Sequence, residues 1–396
     1  MKKIVMLGLS IVLAACAAQS GTSAAPPAAS AAPPAASAAP TDLLSMPWDQ
    51  VVAQAKSEGS ITFYTWFGED FYSQVVTQFK AKYGIEAKAI IAASPAHIDK
   101  ALAEKDQAVG TIDVLDVGGQ YVKTTMDAGI FYGPIFQAMP NAGVLDAKLA
   151  AYQEGVDLGG YLVPILRNQT GFLYDPDRVP NPPQTWDEFT AWIDANPKGF
   201  AYCDPNKGGT GQAFVQTVIS NLTGGIDKYK GDTEVDPAKV ADWTKAWDWI
   251  KANNDKMNLT LSNNESLDLL NQGAASLILA WDDDTGAALA KGTLFKRAKM
   301  YIPTMGLPGG GSTQGILKNS AHKAAALLWL DFLTQPDIQI LMNHTMGSVP
   351  ARTDISNDKV VDVIPGDQRQ KYALPWVPAA YKAEMAKQFT DFVMLN

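Results

Sequence analysis

Cysteine and histidine are scarce in this chain of 396 residues, which contains 2 Cys and 3 His. Two cysteines cannot form the framework of a disulfide-stapled fold. The isolated His97, His322 and His344 offer no metal-ligand pattern, so neither a metal nor a cofactor is expected. Positive charge is limited too, because 32 Lys and Arg face 41 Asp and Glu, a formal charge of −9. That balance argues against nucleic acid as a partner and favours binding over catalysis.

The apolar run at the N terminus is short. Ile4–Ala15 follows two lysines and cannot span a bilayer of about 30 Å as a helix, but it is typical of a secretory signal. It leads into Cys16, and Leu-Ala-Ala-Cys resembles a bacterial lipobox. We therefore predict a signal peptide at residues 1–15 and lipidation of Cys16. The alternative is an ordinary signal peptide with an unrelated cysteine.

Residues 17–40 carry no charge and repeat Ala-Ala-Pro-Pro-Ala-Ala-Ser. Such a composition has no apolar face to bury, so residues 16–40, with the lipidated cysteine, are predicted to form a semi-extended tether. The protein is accordingly expected to be exported and anchored to the cell membrane by lipid, facing the periplasm or the exterior.

Beyond about Thr41, short apolar runs alternate with amphipathic segments. A hydrophobic content of 47% is enough to bury real cores, and the length suggests roughly two domains. The predicted strands and helices are Ile61–Trp66, Glu69–Tyr83, Ala87–Ile91, Thr111–Val117, Pro237–Asn253, Ala275–Trp281 and His322–Leu333. The alternation predicts an α/β fold with a mostly parallel sheet. Trp243 and Trp247, four residues apart on one predicted helix, are interpreted as core.

Several segments, in this order, resemble the extracellular solute-binding proteins of bacterial ABC importers, which are substrate-binding lipoproteins. The most specific segment is Asn181–Glu188, which contains Pro-Pro-Gln-Thr-Trp and, from Thr185 to Glu188, a helix capping box. The other segments are Gly59–Trp66, Gly160–Pro164, Gly171–Asp175, Lys318–Ser320 and Lys323–Leu333.

This resemblance implies a two-lobed periplasmic-binding-protein-like fold of type II, each lobe a mostly parallel sheet flanked by helices, with a hinge between the lobes. It assigns residues 41–162 and 316–350 to lobe 1, and residues 163–315 and 351–396 to lobe 2. The implied function is not enzymatic: the protein captures a small polar solute and delivers it to permease subunits in the membrane. A monomer is the expected state.

In α/β folds, ligands bind beyond the carboxyl ends of the strands, so the loops that follow strands are the candidate site. The predicted ligand-binding residues are Trp66, Phe67, Glu69, Gly119, Tyr121, Arg167, Asn168, Gly209, Thr210, Gly211, Trp281, Asp282, Asp283 and Asp284. Tryptophan rings can stack on a sugar or a cation. The glycine turns open helices and expose backbone N–H groups to an anion.

Two of these candidates have equally good structural interpretations. Arg167 could bind a carboxylate or phosphate, or form a salt bridge at the hinge. Asp282–Asp284 suits a cation or a polyhydroxylated sugar, but acidic residues are also favoured in the first turn of any helix. The glycine-rich segment Gly309–Thr313 is interpreted as either a flexible loop at the cleft or a hinge return.

The solute is therefore expected to be a carbohydrate or a cationic compound resembling thiamine or a polyamine. The alternative is a secreted, glycosidase-like hydrolase, which would use two acids of Asp282–Asp284 together with Glu69. Such an enzyme needs paired carboxylates about 5–9.5 Å apart, a separation that sequence cannot show.

Overall fold

The computed structural model describes residues 42–92 and 94–395. The predicted signal peptide, Cys16 and the tether lie outside the described residues. No helix within these ranges is both long and apolar enough to cross a membrane.

Helices and strands alternate along most of the described chain. The helices are α1 Trp48–Glu58, α2 Glu69–Tyr83, α3 Ser94–Glu104, α4 Gly119–Asp127, α5 Ala147–Ala151, α6 Trp186–Ala195, α7 Gly209–Leu222, α8 Pro237–Val240, α9 Thr244–Asn253, α10 Asn263–Asn271, α11 Asp282–Lys291, α12 Lys323–Leu333, α13 Pro336–Met346, α14 Gln368–Tyr372 and α15 Ala379–Phe389. The strands are β1 Ser60–Thr65, β2 Glu86–Ile91, β3 Val114–Val117, β4 Tyr152–Gln153, β5 Val156–Asp157, β6 Val163–Tyr174, β7 Phe200–Cys203, β8 Met257–Thr260, β9 Leu277–Trp281, β10 Lys299–Tyr301, β11 Leu307–Ile316, β12 Val349–Pro350 and β13 Ala373–Leu374.

The main sheet runs in the order β2-β1-β3-β11-β6-β9-β7-β8. The three strands at each end are parallel to one another, as expected where helices connect consecutive strands. Between these groups, β11 is antiparallel to β3 and β6, and β6 is antiparallel to β9. The α/β fold class and its mostly parallel sheets are thus confirmed.

Two long strands in the middle of the sheet connect its halves. Residues 163–169 of β6 pair with β11, whereas residues 170–174 pair with β9. Residues 309–314 of β11 pair with β6, with a register shift between Ser312 and Thr313, and residues 313–316 pair with β3. Both strands therefore pass from one half of the sheet to the other, as hinge strands do.

The buried side chains separate along the same line. One group, the first core, is drawn from residues 43–166 and 316–351 and centres on Phe63, Phe79 and Trp329. A smaller cluster around Ile98 and Leu162 lies in the same part of the chain. The second core is drawn from residues 172–307 and 364–389. Each half thus buries its own apolar surface, while the exact lobe boundaries stay a prediction.

Three predicted elements are shorter than expected. The strand predicted at Ala275–Trp281 begins at Leu277, because the Ala275 N–H donates to the Leu269 carbonyl at 3.0 Å. The strand predicted at Thr111–Val117 begins only at Val114. The backbone N–H of Thr111 donates to the Glu104 carboxylate at 2.9 Å and not to a neighbouring strand. The single helix predicted at Pro237–Asn253 is wrong: a 3₁₀ turn at Ala241–Trp243 separates α8 from α9. The turn brings the indole N–H of buried Trp243 to the Tyr229 hydroxyl at 2.7 Å.

The glycine-rich segment is not a flexible loop. Gly309–Thr313 lies within β11, paired with β6 on one side and, at Thr313, with β3 on the other. Glycine is required there by close packing, because a β carbon on Gly311 would lie 2.1 Å from the Leu166 carbonyl oxygen. The hinge-return interpretation agrees with this position.

Candidate functional site

A cleft of about 880 Å³ lies at the ends of β1, β3 and β9 and along β11. This volume falls within the range of small-molecule sites. Eight of the predicted residues line it, namely Trp66, Phe67, Gly119, Asn168, Gly209, Trp281, Asp283 and Asp284. The loops that follow β1 and β9 thus meet in one cavity.

Tryptophan rings form part of the walls. Trp281, at the end of β9, lies with its ring centroid 6.1 Å from that of Trp376, in the segment between β13 and α15. Gly209 makes room for Trp281, because a β carbon there would be 2.7 Å from the indole. On the other half, Trp66 stacks on His97 with centroids 5.7 Å apart. Aromatic rings of this kind can contact a flat or cationic group that is bound in the cleft.

Asp283 and Asp284 provide negative charge beside Trp281. Both are half-buried on the first turn of α11, and neither forms an ion pair with any described residue. Burial, with added repulsion from neighbouring carboxylates, raises the pKa of Asp283 well above its ordinary value. Burial and repulsion from Asp282 raise the pKa of Asp284 to about 6. A carboxylate that is disfavoured in this way is stabilised by a cation brought beside it.

Asp282 faces away from the cleft, although its two neighbours line it. Its carboxylate is fully buried, accepts from the Gln169 N–H at 2.8 Å and pairs with Arg369 at 2.8 Å. Burial raises the pKa of Asp282, and the Arg369 guanidinium works against that rise. Gln169 belongs to the hinge strand β6, and Arg369 belongs to α14. Asp282 therefore connects both α11 and α14 to that strand.

Five further predicted residues lie off the cleft surface. Arg167 donates to the Pro350 carbonyl at 2.8 Å and lies 3.8 Å from Asp146, which matches the hinge alternative. Glu69 is exposed on the first turn of α2, and Tyr121 packs beside the smaller apolar cluster of the first half.

The last two belong to the start of α7. The Thr210 hydroxyl donates to the Asn263 side chain at 2.8 Å, so it is used within the protein. Gly211 packs against the backbone, because a β carbon there would be 2.0 Å from the Cys203 carbonyl oxygen. Of this glycine turn, Gly208 and Gly209 reach the cleft.

The C-terminal segment supplies cleft residues that sequence reasoning missed. Trp376 and Lys382 line the cleft, and the ammonium of Lys382 lies 4.2 Å from the Trp376 ring centroid. Lys382 also pairs with Glu154, at the β4–β5 turn, at 2.6 Å. The local sequence around Trp376 and Lys382 contains no pattern that links this segment to the other residues of the cleft.

A buried polar network underlies the first half of the cleft. The Asp116 carboxylate, on β3, accepts hydrogen bonds from Thr65 at 3.0 Å, from Gln314 at 3.3 Å and from Ser312, which lines the cleft. Burial raises the pKa of Asp116 to about 7, and the hydroxyl and amide donors limit the rise. These donors hold the carboxylate rigidly beneath the β11 surface.

Neither a group of metal ligands nor a facing pair formed by Asp283 and Asp284 is found among the residues that the structure describes. In the part of the chain that the structure describes, no three His, Cys, Asp or Glu residues are grouped to hold a metal. Asp283 and Asp284 are adjacent on one helical turn and so do not face each other across a substrate. An α/β molecule with two cores, two shared hinge strands and an aromatic, acidic cleft belongs to the class of two-lobed solute-binding folds.

Comparison with known proteins makes the assignment specific. Residues 74–366 match the model of the bacterial extracellular solute-binding protein family. Since the match covers more than half of the chain, this protein belongs to that family.

The relatives differ in their solutes. The chain is similar to the spermidine/putrescine ABC transporter substrate-binding protein PotD of Streptococcus pneumoniae, at 13% identity and a TM-score of 0.67, covering 85% of this chain and 98% of that one. It is also similar to the fructose-6-phosphate-bound periplasmic binding protein AfuA of Actinobacillus pleuropneumoniae, at 16% identity and a TM-score of 0.60, covering 85% and 99%. At these identities the likeness shows the fold alone.

A curated relative matches over a shorter stretch. Protein YnjB of Escherichia coli K12 is 26% identical over 185 residues, which are 44% of this chain and 47% of that protein. The match thus spans about half of its length.

Proposed function

We propose that this protein is the substrate-binding component of an ABC importer, which captures an organic cation in the cleft and delivers it to a membrane permease. Family membership and the two-lobed fold support the transport role. The observation that carries the choice of solute is the pair Asp283 and Asp284, two half-buried carboxylates that lack a cationic partner among the described residues.

The remaining charges of the cleft support a cation. Glu154 and Lys382 neutralise each other, and Lys207 is exposed at the rim. This leaves the two aspartates as the acidic groups of the cleft that have no cationic partner among the described residues. An ammonium group placed beside them would offset their repulsion and could also contact the face of Trp281.

A carbohydrate is the second candidate, and a specific set of side chains favours it. The amides of Gln120, Asn168 and Gln212 line the same cleft as the tryptophans. Amides and carboxylates bind hydroxyl groups, and an aromatic ring can cover the apolar face of a sugar. The two candidates differ in charge, so they differ in their dependence on Asp284.

Thermal-shift measurements on the full chain, with amines, sugars, sugar phosphates and vitamins, would identify the class of solute. A ligand at 100 times its dissociation constant adds about 2.7 kcal/mol to stability, which is readily detected. For a cation, Asp284→Asn should weaken binding, and the matched control Asp268→Asn, at an exposed position of α10, should not. Binding that is unchanged in the first variant would favour the carbohydrate.

Calorimetry with the identified solute would separate a receptor from a hydrolase. A receptor binds stoichiometrically and releases the solute unchanged, whereas accumulation of product would contradict the proposal. The membrane anchor needs a separate test. Cys16→Ser should release the exported protein from the membrane fraction, and retention of the variant there would refute lipid anchoring.

A further inference from the structure

The hairpin β4–β5 reaches across the cleft to helix α15. The hairpin is part of the first half, because Ala150 and Leu158 on either side of it pack in the clusters of that half. Helix α15 is part of the second, because Tyr381 and Met385 lie in the second core. A contact between these two elements therefore joins the two halves directly, while the neighbouring Gln153 bonds the hinge strand β11 through Gly311 and Thr313.

The contact centres on the ion pair between Glu154 and Lys382. Their charged atoms are 2.6 Å apart, and the side chains are only 6% and 10% exposed. Buried pairs of this kind are screened by salt far less than surface pairs. The pair should therefore depend less on salt concentration than the more exposed ion pairs elsewhere on α15.

Two glycines allow Glu154 and the hairpin tip to pack closely against their neighbours. A β carbon on Gly119, at the start of α4, would lie 2.1 Å from the Glu154 carboxylate, so only glycine leaves room for it. A β carbon on Gly155 would lie 3.0 Å from Pro378, which precedes α15. The hairpin tip is thus fitted closely between α4 and α15.

Two features of Glu154 in this position cost free energy. Glu154 has φ of 47°, a left-handed conformation that residues other than glycine rarely adopt. Its second carboxylate oxygen, Oε2, is buried with no hydrogen-bond partner among the described residues. The cost of the unpaired oxygen falls away when the tip moves away from α15 and the carboxylate regains water, so the contact is suited to opening and closing.

We propose that the Glu154–Lys382 pair is an interlobe latch, which holds the cleft shut independently of the solute and sets how fast solutes enter and leave. The contacts that form the latch are all within the protein, so the latch rests on the proposed role in solute binding but does not require a particular solute. The latch contributes equally to the closed protein with and without solute. Its loss should therefore speed both the entry and the release of solute.

Amide hydrogen exchange on the full chain without added solute tests the latch. Glu154→Gln keeps the shape of the side chain, and Lys382→Met keeps much of its apolar stem. In both variants we expect exchange at residues 152–157 and at the start of α15 to rise by about tenfold or more, because one partner of a buried pair is lost. Lys387→Met is the matched control, since this lysine of the same helix is 66% exposed.

Small-angle scattering on the same samples should show a larger radius of gyration in both latch variants and not in the control. The double variant should open no further than the single ones, because both remove the same contact. Circular dichroism guards against misfolding, and Glu154→Gln alone decides if Lys382→Met does not fold. Exchange and scattering identical to the control would refute the latch, as would a hairpin tip that is already unprotected in the unmodified protein.

Discussion

Replacement of Asp284 by asparagine changes one charge in the cleft and almost nothing in shape. Asn has nearly the same volume as Asp, and no described residue forms an ion pair that the replacement would break. Burial raises the pKa of Asp284 from 3.8 to about 6, so the folded protein holds this proton more tightly than the unfolded chain does. The stability of the folded state must therefore depend on pH through this group.

The sign follows from which state binds the proton. Well below pH 3.8 the group is protonated in both states and costs nothing. As pH rises from about 4 through 6, the unfolded chain loses the proton first, so the free energy of unfolding falls. The difference between 3.8 and about 6 corresponds to at most about 3 kcal/mol, lost in full above pH 7. Asp284→Asn removes this loss, so the variant should be the more stable protein at neutral pH.

Urea unfolding of both proteins between pH 4 and pH 8 measures the effect. The stabilities should differ least at pH 4 and diverge steadily up to about pH 7. Asp268→Asn, at an exposed position, should follow the unmodified protein throughout. If the free energy of unfolding of Asp284→Asn changed with pH in parallel with that of the unmodified protein, this carboxylate would be hydrated or neutralised in the folded state. The proposed role of Asp284 in binding a cation would then be refuted.

Three other substitutions test the walls and the hinge. Trp281→Ala should weaken solute binding by about 1–3 kcal/mol in calorimetry, because a large apolar surface of the cleft is lost; unchanged affinity would place the solute elsewhere. Arg369→Met should lower stability in urea by about 3–5 kcal/mol, since it leaves Asp282 buried without its cation; a neutral result would mean that Asp282 is protonated. Gly311→Ala should lower the melting temperature, because the added carbon would lie 2.1 Å from the Leu166 carbonyl oxygen; an unchanged melting temperature would show that β6 and β11 can separate freely.

Local signals predicted the elements that carry their own boundaries. Helix α2 runs from Glu69 to Tyr83 as expected, because the left-handed Gly84 ends it. The capping box at Thr185 and Glu188 starts α6 with both reciprocal hydrogen bonds present. Loops after β1 and β9 were identified as cleft loops for a similar reason: the carboxyl end of a strand can be read from the strand itself.

Contacts between distant parts of the chain could not be predicted in this way. Lys382 and Glu154 are 228 residues apart, and neither lies in a pattern that points to the other. Gly309–Gly311 illustrates the reverse failure, because a run of glycines favours a loop whenever the neighbouring strands are unknown. The requirement for glycine there is set by the closeness of β6, which is a property of the sheet and not of the segment.

The acidic triplet shows how a helix divides residues that look equivalent in sequence. Asp282 is the first residue of α11, and successive side chains on an α-helix point about 100° apart. Three adjacent acids therefore cannot all face the same cavity. Once Asp282 turns inward to Arg369, Asp283 and Asp284 are directed to the cleft, where no described residue neutralises them. Asp282 thus connects α11 to the hinge strand β6 through Gln169, and Asp283 and Asp284 are left as the acidic groups that a cationic solute would meet in the cleft.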